Sequence, residues 1–282
     1  MMNPESLMMS LAFGGGGGKK PIGTKQIAIN ANGIFKEDVA EFASVEVSVD
    51  VPVEGAEILN SLLDGSITGD FYNDVVTSLH VYSFYYKDIS SVSLPNCISV
   101  GDDAFNNCQN LIVANLPNVK KIGANTFSYC YALESVFAPL LESANRYAFS
   151  GCKKLKSVEF NNLTNINDYI FQQSGLTKCI AKSAKSIGNQ AFVSCASLEV
   201  VDILGSASGS IGGYAFRGAT NLKTLIIRTD AGVMSLSASA ELGNCPNLNV
   251  YVDDTLVDAY KSATNWSTIS DKIKPLSEYV ES

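Results

Sequence analysis

Any chemistry in this 282-residue chain has to come from one histidine, seven cysteines and a few adjacent acids. His80 is the only imidazole, so a base acting on a serine or cysteine would need that nucleophile and an orienting acid nearby; no local pattern around it supplies either. The cysteines include no CxxC pair, and one histidine cannot complete the ligand set of a tetrahedral zinc site. Asp102-Asp103 and Asp253-Asp254 fall at a turn and at a helix start, where solvated or capping carboxylates are expected. Gly14 to Gly18 followed by Lys19 and Lys20 invites comparison with a phosphate-binding loop. Phe13, however, stands where the first glycine of that loop belongs and Lys20 where its Ser or Thr belongs, so the run reads as a flexible hinge. The expectation is a non-enzymatic protein with no catalytic residue, no metal and no cofactor.

Composition narrows the partners. A net charge of −8 removes the electrostatic basis of nucleic-acid binding and of docking on anionic lipid. No apolar run approaches the roughly 20 residues that span a bilayer, so no membrane insertion is expected. The start carries Pro4 and Glu5 and runs into glycines, which does not read as a secretory signal. With 46% hydrophobic and only 17% charged residues, the chain reads as ordered rather than as a polyelectrolyte.

The elements that must hold these residues repeat. Phe84, Phe105, Phe127, Phe149, Phe171, Phe192 and Phe216 follow one another at spacings of 21, 22, 22, 22, 21 and 24. Three residues after them come Lys87, Cys108, Cys130, Cys152, Ser174, Cys195 and Ala219, and soon afterwards an aliphatic such as Leu111, Leu133 or Leu155 opens the next unit. A degenerate last unit keeps Leu242, Cys245 and Leu248. A slot shared by Cys, Ser and Ala is a small-volume packing position, so these thiols are expected to be free and buried. Four residues before each phenylalanine stands His80, Gly101, Gly123, Asn145, Asn167, Gly188 or Gly212, residue types that tolerate a left-handed or tight-turn backbone. Upstream, an LxxVxL segment alternates as a half-buried strand does, and Pro95, Pro117 and Pro139 end it. Such a unit cannot bury a core alone, and stacking the units predicts a solenoid of about eight coils with a parallel β-sheet on one face.

The full unit, LxxVxLPxxxxIGxxAFxxCxx, clearest in Ile89 to Asn110, resembles the BspA-type leucine-rich repeats of bacterial and prophage surface proteins. That resemblance implies an α/β repeat class, a curved right-handed solenoid, and binding rather than catalysis. The organisation read from the chain is an apolar head and polyglycine hinge (1–21), a small β module (22–53), an N-terminal cap (54–70) with a short helix over Glu57 to Leu63, the solenoid (71–252) and a helical C-terminal cap (253–282). In the β module Lys25 to Ile29 alternates and Val45, Val47, Val49 and Val51 alternate with polar residues. In the C-terminal cap, Asp253 and Asp254 start an amphipathic helix, and Trp266 is expected to pack on the last coil. The N-terminal segment is similar to those of phage tail-associated proteins, which implies display on a virion. Its head, Met1 to Phe13 with the apolar cluster Leu7, Met8, Met9, Leu11 and Phe13, is expected to order only by docking on another virion protein.

Aligning the strands leaves one outward column of Ser93, Asn115, Phe137, Glu159, Ile180, Asp202, Ile226 and Tyr251 beside a second of Ser91, Val113, Ser135, Ser157, Lys178, Val200, Thr224 and Asn249. Aromatic and aliphatic side chains among charges are how recognition surfaces are built, although strand propensity alone also favours such residues. The binding candidates are Phe137, Glu159, Ile180, Asp202, Ile226 and Tyr251. The expected activity is adhesion to a protein or glycan on a host surface, from a virion or otherwise outside the cell. The alternatives are a purely structural virion decoration or spacer, or a bacterial surface adhesin.

Overall fold

The computed structural model describes the backbone of residues 7–12, 25–29 and 46–47, and residues 69–74, 76–79 and 81–280 in full. His80, the polyglycine run and the helix expected over Glu57 to Leu63 lie outside the described residues.

Near the N-terminus, β1 (Leu7–Ala12) lies between β2 (Lys25–Ile29) and β3 (Glu46–Val47) in an antiparallel sheet. Leu7 to Leu11 runs in register with Ile29 to Lys25. Part of the head expected to order only on another protein thus takes its backbone partners from within the chain.

The rest is a parallel solenoid of about nine turns rather than eight, because a strand precedes Ile89 and another follows Val252. One ladder joins β4 (Gly69–Tyr72), β6 (Ile89–Ser93), β8 (Val113–Asn115) and β10 (Ser135–Phe137). A second joins β12 (Ser157–Glu159), β13 (Lys178–Ala181), β14 (Val200–Ile203), β16 (Thr224–Ile227), β18 (Asn249–Val252) and β19 (Ile273–Pro275). Six coils then turn through a two-residue strand, and the coils of Phe171 and Phe192 turn through isolated bridges at Ile166 and Ile187. The two-residue strands are β5 (Ser78–Leu79), β7 (Ser99–Val100), β9 (Lys121–Ile122), β11 (Ser143–Ala144), β15 (Ser210–Ile211) and β17 (Ser235–Leu236).

The core is made of one-residue ladders. The seven repeat phenylalanines are at most 1% exposed, and successive rings from Phe84 to Phe216 stack at 5.0 to 5.6 Å. The seven thiols are free and buried. In the repeat slot the thiol does more than fill space: Cys108, Cys130, Cys152 and Cys195 each donate S–H to the carbonyl of the phenylalanine one coil back, at 2.9 to 3.1 Å. Burial pushes the thiols of Cys97, Cys195 and Cys245 up to about 11, and those of Cys130, Cys152 and Cys179 higher still.

Of the two backbones expected at the turn glycines, a left-handed one or a tight turn, the left-handed one is not found, while Gly101 opens a turn closed by the Ala104 N–H on its carbonyl. None of Gly101, Gly123, Gly188 or Gly212 has a positive φ; the left-handed residues stand two positions before and two after every phenylalanine, at Asp103 and Asn107 or Asn125 and Tyr129 for example. Gly123, Gly188 and Gly212 are required by close approach. A Cβ on Gly123 would lie 2.5 Å from the amide nitrogen of Asp102, and one on Gly212 would lie 2.7 Å from that of Asn189. The next side chain then stitches the coils together: Asp102 Oδ1 accepts from the Ala124 N–H and Asp168 Oδ1 from the Asn189 N–H, both at 2.7 Å.

After β18 the tail folds onto the last coils as one six-residue helix, α1 (Val257–Ser262), 3-10 turns and the added strand β19. Trp266 is fully buried and donates through Nε1 to the Met234 carbonyl at 2.8 Å, edge-on to the buried ring of Tyr260. The helical share of this end is smaller than the sequence suggests, because β19 continues the ladder by pairing Ile273, Lys274 and Pro275 with Val250, Tyr251 and Val252.

Candidate functional site

The alternation of each strand sends one residue into the core and the next outward, so the register decides what the face presents. The expected column is in register throughout both ladders. Ser93 pairs with Asn115 and Asn115 with Phe137; beyond them Glu159, Ile180, Asp202, Ile226 and Tyr251 follow one another. Tyr72, in register with Ser93 and 64% exposed, begins the column, one coil before the sequence reading placed its start.

The face is not uniform along its length. Phe137 is 56% exposed, and Glu159 is exposed. Asp202 and Ile226 are buried, which corrects their expected exposure. The cause is local: Arg228, just past β16, reaches back and grips Asp202 with two hydrogen bonds of 2.7 Å, Nε to Oδ1 and Nη2 to Oδ2. On the other side of Ile226 stands Tyr251, and the chain after β19 brings Tyr279 to 5.2 Å from that ring. Position in the column therefore does not equal availability. The open stretch runs from Tyr72 to Glu159, with Ile180 half-buried at its edge.

Within that stretch the ladder breaks. Leu94 and Leu116 donate backbone N–H to Asn115 and Phe137 one coil on, and Phe160 donates to Ile180; among the described residues no such bond joins Ala138 to Glu159. Here the inward Val136 is only partly buried, whereas Val92, Ala114 and Val158 at the same register are at most 3% exposed. Phe160 stands between the small Ala138 and Ala181 in neighbouring coils, its ring 5.6 Å from that of Phe149. Over the break lies a shallow cleft of about 420 Å³, whose lining includes Glu134, Phe137, Ser157, Glu159 and Asn161. Asn161 donates to Glu159 Oε1 at 2.8 Å, and its own Oδ1 is buried without a partner.

A second surface runs along the phenylalanine edge. Among the left-handed residues flanking the phenylalanines are Tyr82, Tyr86, Tyr129, Tyr147, Tyr169 and Tyr214, half of the chain's 12 tyrosines. The sequence reading passed over them, although their offset of two from the phenylalanine is a signal that spacing alone carries. Tyr82, Tyr86, Tyr129 and Tyr214 are 36 to 61% exposed.

Among the described residues no three His, Cys, Asp or Glu side chains converge as a metal site, and no helix is long and apolar enough to cross a membrane.

A family profile described as "BspA type Leucine rich repeat region" matches in six copies over residues 77–199 and 120–249. Among solved structures, the chain is similar to a leucine-rich cell surface protein of Faecalibacterium prausnitzii, at 20% identity and a TM-score of 0.42, over 63% of this chain and 64% of that one. It is also similar to a leucine-rich repeat protein of Bacteroides ovatus, at 23% identity and a TM-score of 0.33, over 75% and 67% of the two chains. A leucine-rich repeat protein of T. pallidum is 19% identical over 73% of this chain and 89% of its own, with a TM-score of 0.39. No curated protein matches.

Proposed function

The chain belongs to the BspA-type leucine-rich repeat family, and from that premise we propose that it is a non-enzymatic recognition protein gripping a protein or glycan on a host surface. The observation that carries the reading is the open half of the strand face: Tyr72 and Phe137 are more than half exposed on a ladder whose inward residues, Val136 apart, are sealed. Such rings give large apolar contact at low conformational cost, and a few of them supply most of an interface's energy. Of the six candidates, Phe137, Glu159 and Ile180 are the ones that make contact; Asp202, Ile226 and Tyr251 support the roofed end. Non-enzymatic action is supported by thiols that burial holds protonated and by carboxylates engaged in turns.

The protein acts outside the cell, displayed on a phage virion through its N-terminal segment. The support for this placement is the resemblance of residues 1–53 alone. The test is a pair of variants, one with Tyr72, Phe137 and Ile180 all changed to serine and one lacking residues 1–20. The first is expected to enter particles and lose host-envelope binding; the second is expected to keep binding in solution and fail to enter particles. Normal binding by the serine variant would move recognition off this face, and normal incorporation of the truncated chain would end the virion reading.

A further inference from the structure

The tyrosine edge points to a second binding surface, independent of the strand face. Tyr129, Tyr147 and Tyr169 have φ of 60°, 59° and 57°, a backbone that glycine or asparagine adopts readily and a bulky residue rarely does. The fold demands that conformation at every coil, and other coils fill the same positions with Asn107, Asn125, Gly151 and Gly218. Tyrosine there is a cost to folding, and strain retained where Tyr129 is exposed and Tyr147 and Tyr169 are half-buried is a mark of use.

Two cations, one at each end of the Phe149 turn, lie against rings of this edge. The Arg146 guanidinium carbon lies 5.0 Å from the Tyr147 ring centre and 5.9 Å from that of Tyr169, and Tyr147 and Tyr169 stack at 4.6 Å. Lys153 Nζ lies 5.0 Å above the ring of Tyr131, which in turn is 6.1 Å from Tyr129. Elsewhere Lys120, Lys154 and Lys223 each pair with a glutamate, but neither Arg146 nor Lys153 meets a carboxylate among the described residues. In a chain of net charge −8, two cations held on rings and left without acids form a local anion-binding spot. Tyr129 is anchored as well: a Cβ on Gly151 would come within 2.9 Å of its ring.

We propose that this patch, over the coils of Phe127, Phe149 and Phe171, binds an acidic saccharide. Flat tyrosine faces accept the C–H face of a pyranose, and a guanidinium beside them accepts a ring carboxylate. The Tyr169 hydroxyl, already accepting from Gln190 Nε2 at 2.8 Å, keeps its own proton to donate to a sugar oxygen. An acidic peptide would satisfy the cations equally well but would leave the exposed ring surface of Tyr129 and the outward sides of the Tyr147–Tyr169 stack without a ring to meet, which is why the sugar is favoured.

The test titrates the full chain at low salt with tetragalacturonate, with its methyl ester and with a capped tetraglutamate peptide, following tyrosine ring resonances by NMR. Saturable shifts are expected with tetragalacturonate and neither of the others. Arg146→Gln with Lys153→Gln should weaken binding about tenfold or more, as charge-assisted hydrogen bonds are lost. Tyr129→Asn with Tyr147→Asn should abolish binding while the melting temperature stays level or rises, because asparagine suits the left-handed backbone. Absence of saturable binding overturns the proposal, as does equal binding of the ester or the peptide. So does a tyrosine variant that melts early yet binds normally, since the rings would then be structural. None of these outcomes touches the strand-face reading, which rests on Tyr72, Phe137 and Ile180.

Discussion

The two long edges of the solenoid are built to opposite rules. On the phenylalanine edge every coil is tied to the next: rings stack from Phe84 to Phe216 without interruption, thiols reach back one coil, and backbone bonds such as Phe127 to Ala148 and Phe149 to Ile170 continue across the whole stack. On the strand face the ladder parts between Phe137 and Glu159, one end is roofed by Arg228 and Tyr279, and the open stretch exposes rings. Cohesion can therefore reside on one edge while the other varies, because neighbouring coils need only one continuous ladder to stay in register.

The sharpest way to break that division is alkaline pH. Burial raises the thiol pKa of Cys195 and Cys245 from an ordinary 9.0 to about 11. A group raised on folding stabilises fully below its unfolded value and loses that contribution as pH climbs through the folded one. Urea midpoints should thus hold steady up to about pH 9 and fall steeply towards pH 11. Cys195→Ala should make that fall shallower; a curve insensitive to the substitution would remove the thiol ladder from the account.

Next in size, Phe149→Ala removes a fully buried ring that contacts Phe127, Phe160 and Phe171, and should cost about 3 to 5 kcal/mol in denaturant unfolding. A cost near 1 kcal/mol would mean that the ladder is not what holds the coils. Arg228→Ala leaves the Asp202 carboxylate buried without its partner. Because Arg228 is itself 32% exposed and water can enter, the loss should be about 2 to 3 kcal/mol, short of a fully buried pair. Restored stability in Arg228→Ala with Asp202→Asn would confirm that the charge, not the packing, was at stake.

The smallest expected effect is on the open face. Phe137→Ser should change stability by no more than about 0.5 kcal/mol while reducing partner binding. A thermal melt shifted by several degrees would show that Phe137 belongs to the core, and the contrast between the two edges would blur at its centre.

Much of this architecture is legible in the residues. The 22-residue phenylalanine spacing, the Cys slot and the LxxVxL strand are all local features, and the alternation of a strand carries its register with it, so the outward column could be aligned without coordinates. What escaped the reading depended on neighbours distant in sequence. Asp202 and Ile226 look outward by pattern, yet both are buried, Asp202 in the grip of Arg228 and Ile226 between Asp202 and Tyr251 in the ladder. Gly123, Gly188 and Gly212 look like left-handed residues, yet serve a close approach to the coil below. The tyrosines at offset two were visible and went unread, because their meaning rests on a backbone angle that no residue type announces.

By itself, then, the sequence determined the period, the buried ladders and the parity of every strand, since each follows from short-range alternation repeated until stacking must bury it. Tertiary structure alone decided where the face opens, where it is roofed and which cations go without acids. Those properties belong to side chains that meet across coils 20 or more residues apart, such as Asp202 and Arg228, and to the volumes of Ala138, Phe160 and Phe149 acting together; no single coil contains them.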